Sequence, residues 1–271
     1  MCRRERGLTL LEMMVAVALL MMIVTGLTIM FMQTQRAFKG GLGQVDVFES
    51  GRAAMEMITR DLEQMAPSGD TANTNFILSL AYPANTLTNL SVITNSTDTN
   101  ICRNFFVLSH AASWQGTSYK VIFTNSSSFL VGTLYRHTTA NINRIHGNFL
   151  STDFMSDSLT YSNRVINGVA RFQVRVYSSS GKEIIADQSD PRFDSSIFNS
   201  DFTNSPSLLA LYFSNNELPG YLEVELGILE PQVVELLSAF QTEQKRKEFV
   251  ELNSSKIHIF RQQIPIRAVS R

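Results

Sequence analysis

Residues 8–32 form an almost unbroken run of Leu, Met, Val, Ile and Ala in which Glu12 is the one charge. The run exceeds the roughly 20 residues that a helix needs to cross a hydrocarbon core of ~30 Å. Helical periodicity continues past it. Phe48, Met55, Ile58, Leu62 and Met65 recur at spacings of seven, three, four and three, which predicts a helix dry on one face and polar on the other. Pro67, Ser68 and Gly69 supply the stop. A helix over residues 8–66 would be ~88 Å long at ~1.5 Å per residue. Gly40, Gly41 and Gly43 interrupt it, each costing roughly 0.8–1 kcal/mol relative to Ala, and a kink or locally melted turn is expected there.

Beyond Pro67 the period shifts from helix to strand. Residues 70–100, rich in Thr, Asn and Ser, read as an irregular surface excursion with one short strand. Residues 104–109, 118–124 and 128–135 are apolar, β-branched or aromatic runs between Ser, Asn and Gly turns, which predicts antiparallel hairpins. Residues 169–177 alternate cleanly, Val169 facing opposite to Ala170, and residues 221–226 alternate after Leu218 and Pro219. Residues 231–252 read as one further helix, with Pro231 at its first position and an apolar stripe of Val234, Leu237, Phe240 and Phe249. That helix either covers a sheet edge or contacts a partner subunit. A strand at 256–260 follows, with residues 261–271 trailing. The pattern as a whole is α+β.

Glu12 is the position that needs an explanation. A carboxylate at a membrane helix centre costs roughly 2.5–3.5 kcal/mol on insertion scales. Arg3, Arg4 and Arg6 precede the run, so the positive-inside rule puts the N-terminus in the cytoplasm. A cleaved secretory signal fits poorly, because its apolar region is usually only about 7–15 residues and no small-x-small site follows Met32. A plain single-pass anchor with Glu12 near the interface is a second reading. The third is a signal cut on the cytoplasmic side of the apolar run.

Gly7-Leu8-Thr9-Leu10-Leu11-Glu12, behind a basic leader, resembles the processing signal of type IV pilins and type II secretion pseudopilins. The resemblance implies that a prepilin peptidase cuts between Gly7 and Leu8 and methylates the new amine at Leu8. Glu12 then becomes the fifth residue of the processed chain. Phenylalanine is the commonest first residue in that family, and Leu8 departs from it. Residues 51–53, 60–62, 165–177 and 218–226 also resemble the larger minor members, the pseudopilin J and pilus W group. The implied fold is a pilin-like α+β chain: a cleaved leader (1–7), a transmembrane half-helix (8–32), a periplasmic half-helix (33–66) and a β-rich domain (67–271) carrying the extra C-terminal helix. The implied role is a non-enzymatic minor subunit of a pseudopilus or pilus, at the tip and in assembly initiation. Its partners would be the peptidase, other major and minor pilins or pseudopilins, an inner-membrane assembly platform and membrane lipid. The alternative is a membrane-tethered periplasmic binding module.

Composition narrows the chemistry further. The chain of 271 residues has 23 basic and 24 acidic side chains; removing Arg3, Arg4, Arg6 and Glu5 with the leader leaves 20 and 23, a net charge of −3. Lys245-Arg246-Lys247 is flanked by Glu243 and Glu248 and reads as a solvated helix face, so no nucleic-acid binding is expected. Cys2 lies in the leader, leaving Cys102 as a buried small hydrophobe near Phe105 and Phe106. The four His are scattered, and no nucleophile elbow, phosphate loop or dinucleotide fingerprint occurs. No cofactor is expected. Asp187, Asp190 and Asp194 could supply hard oxygen ligands to calcium, but their spacing fits no defined loop and suits a solvated turn equally well.

Overall fold

The computed structural model describes residues 10–69, 74–79, 102, 104–110, 113–123, 130–141, 162–184, 192–194 and 210–267. The processing site at Gly7 and Leu8, most of 70–100, Asp187 and Asp190 lie outside these residues. Helix α1 runs from Leu10 to Glu63. It stays helical through Gly40, Gly41 and Gly43, so the turn expected to melt there does not. The chain divides into two compact units, residues 1–46 and 47–271.

In the second unit α1 packs on a sheet that, among the described residues, has nine strands, all paired antiparallel. Its strands are β1 (Thr74–Ser79), β2 (Asn104–His110), β3 (Trp114–Ile122), β4 (Gly132–Asn141), β5 (Ser162–Tyr177), β6 (Phe193–Asp194), β7 (Ala210–Ser214), β8 (Tyr221–Leu229) and β9 (Ile257–Pro265). The spatial order is β6-β7-β1-β2-β3-β4-β5-β8-β9. Only residues 215–220 join β7 to β8, and such a link spans at most ~25 Å. Six strand spacings in a flat sheet would separate them by ~29 Å. The sheet must therefore curl, and a buried side chain pins the closure. Asn75 accepts the Ser68 N–H at 2.8 Å, and its amide donates to the Asn215 and Glu217 carbonyls, each at 2.9 Å.

The helical seam is as the spacing predicts at Met55, Ile58 and Leu62, all buried; the helix ends at Glu63, short of residue 66, and Met65 is buried beyond it, bridged to Ser109. Phe48 differs: it is 52 % exposed and lies edge-on to the His258 and Phe260 rings. Val47, Gly51 and Ala54 face the core instead. Gly51 does so because β9 approaches there, where a Cβ would overlap the Phe260 ring and stand 2.8 Å from Ile228 Cδ1.

Strand limits also move. β3 begins at Trp114 rather than 118 and β4 runs on to Asn141, because polar residues pair as strand: Thr117 lies opposite Val107 and Thr138, and Thr117, Ser118 and Lys120 are buried. β9 continues to Pro265, so residues 261–265 are strand rather than tail. β5 does not alternate throughout. Val169 pairs with Ile228 and Arg171 with Gly227, so a bulge places two residues of β5 against one step of β8. Val169 and Phe172 consequently both join the core beneath α1, while Ala170 joins a second cluster with Leu229 and Ile257.

The single C-terminal helix expected over 231–252 is two: α2 (Pro231–Leu237) and α3 (Glu243–Leu252). The break has local causes. The Ser238 hydroxyl donates to the Glu235 carbonyl at 2.6 Å, Phe240 turns in to meet Phe249 at 4.9 Å, and Arg246 Nε donates to the Phe240 carbonyl at 2.7 Å. Val233 and Val250 pack with Leu130, Ala170, Leu229 and Ile257, so the helices cover a sheet face rather than its edge. The architecture is pilin-like α+β, a long apolar N-terminal helix followed by an antiparallel sheet and short C-terminal helices.

The close approach at Gly51 sets a test. Gly51→Val should destabilise the domain by about 1–3 kcal/mol by displacing Phe260, read as a lowered urea midpoint of the detergent-solubilised chain. Gly41→Ala, where a Cβ meets nothing within 4 Å, should be neutral or slightly stabilising.

Candidate functional site

The first half of α1 is built for a solvent that offers no hydrogen bonds. Leu10 to Met32 are exposed all round, and the helix is long and apolar enough to cross a membrane. Its polar side chains are satisfied within the helix: Thr25, Thr28 and Thr34 donate to the Met21, Val24 and Met30 carbonyls at 2.7, 2.8 and 2.9 Å. Such back-bonding removes the cost of a hydroxyl in lipid. Glu12 stands exposed in the first turn of α1, where the helix dipole favours an anion, and the next ionisable residue along the chain is Arg36.

The second half of α1 carries a carboxylate of the opposite kind. Asp61 lies on the buried face between Ile58 and Leu62. Tyr119 Oη donates to its Oδ2 at 2.5 Å, and Arg136 reaches Oδ2 and Oδ1 through Nε and Nη2 at 2.7 and 3.0 Å. Burial, and then the Asp61 carboxylate, push the Tyr119 phenol well above its usual range, so it remains a donor at ordinary pH. Hydrogen bonding to Asp61 likewise raises the Arg136 guanidinium. One helical carboxylate thus fixes α1 against β3 and β4 at once. The sequence carried a signal for it, an acid at a seam position three residues after Ile58, which apolar periodicity passes over.

A second polar assembly covers the sheet face away from α1. Arg171 is buried, with Nε donating to Glu225 Oε1 at 2.5 Å and Nη2 to Gln173 Oε1 at 2.8 Å. Glu223 Oε1 receives Arg175 Nη1 at 3.2 Å and Arg261 Nη2 at 2.6 Å, and its Oε2 receives Gln263 at 3.2 Å. Burial alone would push the Glu223 carboxyl up, but the bonds from Gln263 and Arg261 and the guanidinium charges hold it below the usual range. Glycine makes the space, since a Cβ at Gly227 would stand 2.8 Å from Arg171 Cβ.

Asp194 lies in β6, and among the described residues no three His, Cys, Asp or Glu are placed to hold a metal ion. His110 lies edge-on to Trp114, and His258 lies 3.2 Å from Glu230. Cys102 is free and buried in the main core, where burial pushes its thiol far up, as suits an inert small hydrophobe.

The prokaryotic N-terminal methylation motif matches residues 2–28. No curated protein matches the chain. The chain therefore carries a prepilin-type motif joined to a helix able to cross a membrane, the one such helix among the described residues, the organisation of a membrane-anchored, single-pass pilin-type protein. That motif implies processing by a prepilin peptidase and assembly with other pilins.

Two measurements probe the polar clusters. Asp61→Ala leaves Tyr119 and Arg136 without their shared acceptor and should cost about 3 kcal/mol, the low end for breaking a buried pair, because Arg136 is 23 % exposed. Tyr119→Phe should cost about 1 kcal/mol; denaturant titration reads both. Glu223 titrates lower folded than unfolded, so its contribution is in place above about pH 4.3 and is lost as pH falls through the folded value. The Tm gap between the native chain and Glu223→Gln should accordingly be constant near pH 6–7 and narrow below about pH 4.

Proposed function

We propose that the chain is a minor pilin or pseudopilin, a structural subunit placed at the tip of a short filament and active in starting its assembly. Cleavage falls between Gly7 and Leu8, and the new amine at Leu8 is methylated. The N-terminus begins in the cytoplasm, as the three leader arginines favour, and the sheet domain lies in the periplasm. An inner-membrane platform and the surrounding lipid hold the subunit before it is extracted.

The single observation that carries this reading is the position of Glu12, the one charge within residues 8–32, five residues past Gly7 and within the matched motif. Processing creates a cation at Leu8, about one helical turn from it. When helices pack side by side, the amine of one subunit meets Glu12 of its neighbour. A paired, hydrogen-bonded charge is tolerable in an apolar bundle where a lone one is not, so the pair selects one stagger between subunits. The large domain supports the tip assignment. Repeated at every position of a thin shaft, a domain spanning residues 47–271 would crowd its neighbours.

Intact-mass analysis of the membrane form should show loss of residues 1–7 and gain of one methyl group. An uncleaved chain would instead support a tethered binding module. Glu12→Ala should leave processing and insertion unchanged but reduce recovery in sheared filaments roughly tenfold or more, since an interaction of about 1.4 kcal/mol corresponds to a factor of ten. Undiminished recovery would overturn the role given to Glu12.

A further inference from the structure

The curled sheet ends on one side in the two-residue strand β6 and on the other in the nine-residue strand β9. The hydrogen-bond phase of β9 follows from its two ends. Glu230 N–H donates to the Lys256 carbonyl at 3.2 Å, and Ile266 N–H donates to the Gly220 carbonyl at 3.1 Å. Between those bonds the register is unbroken, from Leu229 opposite Ile257 to Tyr221 opposite Pro265. In an antiparallel ladder every second residue bonds the partner strand. Residues 258, 260, 262 and 264 therefore bond β8, while Ile257, Ile259, Arg261 and Gln263 aim their N–H and C=O groups away from the sheet. Pro265 falls on the outward set, where its missing N–H removes no ladder bond.

An open edge of this length invites an added strand unless it is blunted. Past the buried Ile257 nothing among the described residues covers it: Ile259 is 44 % exposed and the Arg261 side chain 51 %. Beside it runs an open groove of about 400 Å³ lined by Arg52, Met55, Glu56 and Thr59 of α1 and by Phe260, Arg261 and Gln262 of β9, two cations against one carboxylate. A strand added at the edge would drop alternate side chains into that groove.

Charge identifies the occupant. On the face away from α1 the strands form rows of alternating sign: Arg171 and Arg175 on β5, Glu223 and Glu225 on β8, then Arg261 on β9. Residues 256–267 contain Lys256, Arg261 and Arg267 and not one carboxylate. Opposite charges on neighbouring strands stabilise and like charges repel. The next row in the series is acidic. A second copy of β9 would instead set one basic row against another.

We propose that the outer edge of β9 docks an extended, acidic strand of a different subunit by main-chain pairing with Ile259, Arg261 and Gln263. The proposal rests on the reading of the chain as a filament subunit, and it adds which surface receives the neighbour and what that neighbour presents. Pairing on an existing edge supplies affinity from main-chain bonds and specificity from alternate side chains.

The test uses the full chain in cells that build the complete assembly, with the photo-cross-linking residue benzoylphenylalanine replacing Gln262, which is exposed at the groove. The expected product joins this position to an extended, acid-containing segment of a different subunit, identified by peptide mass spectrometry. In the same background Ile259→Pro removes one outward N–H and leaves the β8 ladder whole, and should cut the cross-linked fraction roughly tenfold. Ile259→Val should not, and Tm of both should stay within about 2 °C of the parent. Cross-linking to a second copy, to a helix or to nothing, or a yield indifferent to Ile259→Pro, overturns the dock. Intact mass of the same samples separates the two readings. A cleaved, methylated chain without the cross-link overturns the dock alone, and an uncleaved chain overturns the subunit reading beneath it.

Discussion

Helix α1 must be apolar all round over its first half, because lipid offers no hydrogen bonds, and apolar on one side only over its second, because there a sheet covers one face and water meets the other. One regular backbone serves both environments from Leu10 to Glu63. The glycines at 40, 41 and 43 do not break it. Their intrinsic cost is small beside the cooperative gain of continuing a helix already many turns long. The sheet then takes its shape from the second half. Strands that curl until β7 can reach β8 in six residues need a central element to pack against, and Met55, Ile58 and Leu62 provide that surface.

Packing of apolar groups alone would leave the helix free to slide or rotate by a residue or two. Asp61 removes that freedom, because its two oxygens receive Tyr119 on β3 and Arg136 on β4 in one geometry. A shift of one residue would bury the carboxylate without partners, at a cost of several kcal/mol. On the far face the Arg and Glu rows fix strand register in the same way: a slip of one position turns Arg171 and Glu225 toward the apolar side.

Legibility in the sequence follows the size of the period being read. The apolar run and the seam through Met55, Ile58 and Leu62 were plain, since many turns repeat one pattern. The motif around Gly7, Leu8 and Glu12 was plain because its order along the chain is its meaning. Phe48 misled because it lies at the rim of the stripe, about 20° beyond Met55, while Val47 and Gly51 stand nearer the centre of the inward face. The polar stretch of β3 looked like a turn because hydroxyls favour turns locally, while here long-range pairing with β2 and β4 decides. The bulge at Ala170 and the break between α2 and α3 depend on partners distant in sequence, Ile228 and Gly227 in one case and the second apolar cluster in the other.

The two carboxylates of α1 show what separates a folding residue from an assembly residue. Both interrupt an apolar surface, and both need a cation to be tolerated there. Asp61 finds Arg136 within its own chain, so its requirement is met on folding and binds the helix to its own sheet. For Glu12 the nearest cations in sequence are the leader Arg6 on one side and Arg36 on the other. Under the proposed processing Arg6 is removed and an amine appears at Leu8 in its place. A charge on a helix presented all round to its neighbours, matched as proposed to an amine of an adjacent subunit, would make assembly conditional on prior cleavage. The same chemistry, a carboxylate matched to a cation, fixes the fold at Asp61 and, under the proposed processing, would order association at Glu12.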